Sequence, residues 1–212
     1  MGPGKHYGNR RFYTDEPTAN FYTVKLTNAF YLGRTQVTQA QWMSVMPENP
    51  SQFQDVDNPV DHALWDDLQI FCRKTRLNLP TEAQWEYACG LGLPPCGASL
   101  DELAWYRVNA DYKTHPVGQK LPNALGFYDM LGTVWEYCQD FYDTNYHLTC
   151  MGGITDPLGP TTGKAHVLRG GGYSNSSQYC SSIIKTCRLV PSRQTFHGMR
   201  LEDVGFRAAR TI

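Results

Sequence analysis

The sequence predicts an α+β fold with few helices, short strands and more loop than regular structure. Helical patterns are confined to the stretch between Thr38 and Gly90, strand-like runs flank them, and Gly, Pro, Asn and aromatic residues punctuate the remainder. Residues 21–32 alternate at Val24 and Leu26 among β-branched and aromatic side chains, which reads as one or two strands turning near Asn28. Thr38 then caps a short helix through Met46, because its hydroxyl can accept from free backbone N–H groups ahead of Ala40, Trp42 and Met43. Asn49-Pro50-Ser51 breaks it. A second helix, from about Trp65 to Thr75, sets Leu64, Leu68, Phe71 and Cys72 on one face. The third opens on Pro80-Thr81-Glu82-Ala83-Gln84, a capping box in which Thr81 and Gln84 satisfy each other's amides, and Gly90 is its stop. Short strands are expected at Gly126–Tyr128, Thr133–Tyr137, His166–Leu168 and Gly205–Ala208. Loops this long need ions, disulfides or aromatic anchors to hold them.

Composition narrows the function. The chain has 212 residues, enough for one generous domain or two small ones, and 41% hydrophobic content excludes intrinsic disorder. With 19 Lys+Arg against 20 Asp+Glu, the net charge of −1 excludes a polybasic nucleic-acid groove. Apolar stretches such as Ala29 to Leu32 fall far below the roughly 18 residues of a membrane span. No charged leader followed by an apolar segment opens the chain, and the compartment, exported or cell-surface placement included, stays open. Seven cysteines include no CxxC pair, and their odd number leaves at least one thiol unpaired within the chain. Six histidines form no HxH, HxxxH or HExxH arrangement, so a helix-borne metal triad is missing.

A succession of motifs goes further: Thr35-Gln36-Val37-Thr38-Gln39-Ala40-Gln41-Trp42, Asn49-Pro50-Ser51, Asn58-Pro59-Val60, Leu79-Pro80-Thr81-Glu82-Ala83-Gln84-Trp85-Glu86-Tyr87-Ala88, Pro122-Asn123-Ala124-Leu125-Gly126, Asp129-Met130-Leu131-Gly132-Thr133-Val134-Trp135-Glu136, Arg169-Gly170-Gly171 and Gly205-Phe206-Arg207. In this order they resemble the formylglycine-generating enzyme, or sulfatase-modifying factor, family over essentially the whole chain. The resemblance implies a single domain over residues 1–212 with a C-type-lectin-like fold: a small mixed sheet, two or three helices and extensive loops. In the copper-dependent members, two cysteines shortly after an RGGS segment hold copper(I), a soft ion suited to thiolates, and process a substrate cysteine. Counted from Gly170, the second of those positions is Cys180 and the first is Asn175, while Gly172 replaces the serine of RGGS. Both departures point away from copper and from formylglycine formation.

The resemblance also implies a disulfide between Cys89 and Cys187, with Cys180 as rival partner for Cys89, and a reducing compartment would leave all the thiols free. Asp129, Gly132, Val134 and Glu136 match a family calcium site built from two side-chain oxygens and two carbonyls, which suits a hard cation. Without an ion, the carboxylates would accept hydrogen bonds from loop amides. Arg169 and Arg207 are expected to pair with buried carboxylates such as Glu82 or Glu86. Trp42, Trp65, Trp85 and Trp105 read as core anchors, and Trp135 as a candidate to line the cleft.

The segment from Tyr173 to Arg200 is rich in Ser, Asn, Gln, Tyr and Thr, a composition with the adaptable hydrogen bonding and amphipathic area of a paratope. Variable proteins of diversity-generating retroelements, which use this family's scaffold, carry their variable residues in a similar place. The leading expectation is therefore a non-copper, lectin-like binding domain for a protein or glycan ligand. Its candidate contact residues are Trp135, Tyr173, Asn175, Ser177, Tyr179, Arg193 and His197. The alternative is an oxidoreductase that converts a substrate cysteine to formylglycine, or variant chemistry at Cys180. A third reading is an accessory domain of a larger signalling or exported protein.

Overall fold

A computed structural model describes residues 8–12, 22–91, 98–143, 145–180 and 202–212. In chain order the elements are β1 (Gly8–Phe12), β2 (Tyr22–Leu26), β3 (Phe30–Leu32), α1 (Gln39–Met43), α2 (Trp65–Thr75), α3 (Glu82–Leu91), α4 (Leu100–Leu103), β4 (Trp135–Phe141), α5 (Tyr146–Thr149), β5 (Ile154–Thr155), β6 (His166–Arg169), α6 (Ser177–Cys180), β7 (Val204–Gly205) and β8 (Ala209–Thr211). The α+β class and the high loop content expected from the sequence are both present.

The strands form three small sheets among the described residues. β2 lies between antiparallel β1 and parallel β5; β3 pairs antiparallel with β8; β4 lies between antiparallel β6 and parallel β7. Pairing of β8 with β3 brings the end of the chain back onto its first half, and pairing of β7 with β4 sets the preceding segment into the third sheet.

Each main helix starts where its local chemistry places it. Thr38 caps α1 in a full capping box with Gln41. Ser44 ends the helix earlier than the expected Met46, its hydroxyl donating to the Gln41 carbonyl at 2.7 Å, and Val45 follows as turn and Met46 as bend. α2 carries Asp66 and Asp67 in its first turn and Arg73 and Lys74 in its last, matching the helix dipole. It ends at Arg76 in the left-handed region. In front of α3, Thr81 Oγ1 accepts from the Gln84 amide at 3.1 Å, and Gln84 Oε1 accepts from the Thr81 amide at 3.0 Å. This helix runs through Gly90 to Leu91.

Two expected strands came out differently. Gly126–Tyr128 is loop, because Asn123 Oδ1 accepts from the Leu125 and Phe127 amides and so satisfies backbone groups a strand partner would otherwise take. Of the 205–208 run only Gly205 is strand, in β7; Phe206, Arg207 and Ala208 form the link to β8, which belongs to a different sheet, and Phe206 and Arg207 are fully buried in it.

The main core lies between α1, α2 and β4. Trp42 stacks on Phe71 at 5.4 Å, and Phe206 meets both rings edge-on. A second cluster under α3 gathers Trp85, Cys89, Met130, Cys138 and Cys180.

Candidate functional site

After β6 the backbone folds back on itself through three glycines. Arg169 is buried, 2.9 Å from Glu86 and 3.8 Å from Glu82, with its guanidinium over the Trp85 ring. Gly170 and Gly171 both have positive φ. A Cβ on Gly171 would stand 2.8 Å from Cys180 Sγ, so the absence of a side chain lets α6 close onto the turn. A Cβ on Gly172 would stand 2.9 Å from Asp203 Oδ2. A serine there would displace that carboxylate, which accepts instead from the Ser174 hydroxyl.

Asn175 is a scaffold residue of this turn. Its Oδ1 accepts from Trp135 Nε1 at 2.6 Å and from the Gly172 amide at 3.0 Å. Its own amide returns to the Gly172 carbonyl, and its carbonyl accepts from the Arg107 amide. Cys180 is fully buried in the cluster under α3, where burial pushes its thiol up to about 12. A thiol of that pKa is neutral near pH 7 and is a poor ligand or nucleophile. The pair Asn175 and Cys180 is a poor match to copper(I), which favours two soft sulfurs: one position offers a hard carboxamide oxygen already engaged by two donors, and the other a single sulfur inside the core.

Trp135 and Tyr173 are also buried. Tyr173 packs edge-on against Phe53, and its hydroxyl donates to the Glu202 carbonyl. Ser177 and Tyr179 are exposed on α6, and the Tyr179 ring meets Trp135 edge-on at 6.2 Å. Arg193, His197 and Cys187 lie outside the described residues, and with Cys187 the Cys89–Cys187 pairing.

A second cluster adjoins this turn, the Gly132 amide donating to the Gly170 carbonyl. Asp129, Gly132 and Thr133 all have positive φ, which turns successive carbonyls inward. Gly132 is indispensable to the close approach, since a Cβ there would lie 2.2 Å from the Trp105 carbonyl oxygen. Gln36, fully buried, points its Nε2 into this ring. The nitrogen lies 3.0 Å from the Val134 carbonyl, 3.0 Å from Glu136 Oε1, 3.3 Å from the Asp129 carbonyl and 3.5 Å from that of Gly132. Glu136 is also fully buried. Arg207 donates to both of its oxygens, at 2.9 and 3.0 Å, and Trp85 Nε1 donates to Oε2 at 2.7 Å. Arg207 thus takes Glu136 as its carboxylate, where Glu82 or Glu86 was expected; Arg169 takes those two. Asp129 Oδ2 accepts from the Gly118 amide at 2.7 Å, and burial pushes the carboxyl up to about 6.

The sulfatase-modifying factor enzyme 1-like domain model matches residues 4–212. The chain belongs to this family. Among similar proteins, the formylglycine-generating enzyme of Thermomonospora curvata is 32% identical over 77% of this chain and 61% of its own length. That of Mus musculus is 30% identical over 82% of this chain and 50% of its own. The chain accordingly spans about half to three fifths of the length of these curated relatives. Of solved structures, Treponema denticola variable protein 1 superposes with TM-score 0.78 at 27% identity, over 98% of this chain and 93% of that one. PvdO from Pseudomonas aeruginosa has TM-score 0.76 at 21% identity over 97% and 92%, which concerns the fold alone. Among the described residues, no helix is long and apolar enough to cross a membrane.

Sequence reasoning missed Gln36 and Asp203. The signal for Gln36 was a carboxamide directly preceding buried Val37 and the Thr38 cap, where the run into α1 turns inward. Asp203 gave none, because its role is to fill space left by a glycine distant in sequence.

Proposed function

We propose that this member of the sulfatase-modifying factor family is a non-copper binding domain that meets a protein or glycan ligand through its C-terminal loops. The observation that carries the reading is the Asn175 carboxamide, bound by Trp135 and Gly172 at the position of the first copper cysteine. Buried, protonated Cys180 supports it from the other position. Exposed Ser177, Gln178 and Tyr179 on α6 offer hydroxyl, amide and amphipathic ring contacts beside that rigid turn. A neighbour of closely similar fold is a variable protein by name.

The second reading, cysteine oxidation to formylglycine, is favoured by the names of relatives at about 30% identity. Anaerobic copper(I) titration followed by incubation with a sulfatase-derived cysteine peptide separates the two. The binding-domain reading expects no stoichiometric copper uptake and no aldehyde on the peptide. Tight one-to-one uptake with aldehyde formation would overturn it.

A further inference from the structure

The geometry points to Gln36 as a built-in substitute for a cation: its carboxamide NH2 sits among the oxygens that the family resemblance assigns to calcium and holds the 129–136 turn in calcium's place. A calcium ion needs six to eight oxygens at about 2.3–2.6 Å around a common centre. In this protein Nε2 of Gln36, a donor, lies 3.0–3.5 Å from the carbonyls of Asp129, Gly132 and Val134 and from Glu136 Oε1. Its two N–H groups serve the nearest pair, Val134 O and Glu136 Oε1, and its partial positive charge faces the other two oxygens. The negative charge a dication would balance is matched separately by the Arg207 guanidinium, which forks onto both Glu136 oxygens, with Trp85 Nε1 taking the remaining lone pair. Asp129, the second expected side-chain ligand, gives Oδ2 to the Gly118 amide, keeps Oδ1 buried without a hydrogen-bond partner, and meets Gln36 through its backbone carbonyl. The donor set therefore fits an amide nitrogen and a guanidinium better than calcium.

The orientation of the carboxamide is what separates the two cases. With Oε1 inward, five oxygens would face one another, and only a cation would hold them together. Glutamate at position 36 imposes that arrangement permanently, because a carboxylate has no N–H to donate. Gln36→Glu is thus the variant that converts an ion-free turn into an ion-requiring one.

The test is thermal unfolding of the full chain in chelator and in calcium. The wild-type melting temperature is expected to be the same in both. Gln36→Glu is expected to melt lower in chelator and to regain about 5–10 °C at a hundredfold calcium excess over its Kd. A rise of that size in the wild-type chain, or a Gln36→Glu variant that folds and ignores calcium, overturns the proposal. If the variant does not fold, side-chain amide exchange in the wild-type protein decides: slowly exchanging Gln36 NH2 protons, unaffected by calcium, support the substitution, and protons that exchange freely refute it.

Discussion

At the scale of single residues, the site is governed by which polar atoms already have partners. Asn175 Oδ1 accepts from the Trp135 indole and the Gly172 amide. Truncation to alanine leaves both donors without an acceptor inside a tight turn. Because a buried donor left unpaired costs about 1–3 kcal/mol, Asn175→Ala is expected to lower unfolding free energy by about 2 kcal/mol. Urea unfolding followed by tryptophan fluorescence measures it, and an unchanged midpoint would show that the turn does not depend on this carboxamide. That Asn175 stands where the copper-dependent members carry a cysteine was implied by the family resemblance, counting from Gly170. That the new side chain braces Trp135 was not, since the two residues lie 40 positions apart.

Elements follow the same logic with local donors. α3 carries Glu82 and Glu86 to Arg169 and Trp85 to Glu136, so the start of this helix sets the position of both clusters. Thr81→Ala removes the hydroxyl that accepts from the Gln84 amide and is expected to cost about 1 kcal/mol, read as a lower urea midpoint with an unchanged slope. A loss several-fold larger would mean that Thr81 does more than cap. The three helices inside the 38–91 region were readable because caps and apolar faces are written within one or two turns of chain. The strand expected at Gly126–Tyr128 failed for a reason equally local, the Asn123 side chain, which was in plain sight but competes with strand pairing only once the loop closes.

For the molecule as a whole, electrostatic balance depends on carboxyls collected from distant segments. Asp140 on β4 is pushed up to about 7 from 3.8, first by burial and then by Glu82 at the start of α3, against the lowering effects of the Glu82 amide and Arg169. Between those two values the folded chain holds a proton that the unfolded chain has lost. Stability contributed by Asp140 is therefore greatest at low pH and falls as pH rises through the window, by no more than about 1.4 kcal/mol per pH unit, levelling off above pH 7. Denaturation curves between pH 4 and pH 8 are expected to show that decline, and Asp140→Asn, which keeps an acceptor for the Glu82 amide, to flatten it. A variant with the wild-type slope would assign the effect to another group.

What the sequence determined by itself was the class of fold, the family and the capped helices, because caps, apolar faces and ordered motifs act over short stretches and survive being read one segment at a time. Through the family resemblance it also aligned Asn175 with a cysteine of the copper-dependent members. Tertiary structure alone decided that Gln36 faces the carbonyls of a turn about a hundred residues away, that Arg207 chooses Glu136 over the α3 carboxylates, and that Cys180 sits in the core. Those outcomes depend on which donor and acceptor share a volume too small for water. Such a volume exists only after β8 has paired with β3 and β7 with β4, which brings the end of the chain back onto distant segments.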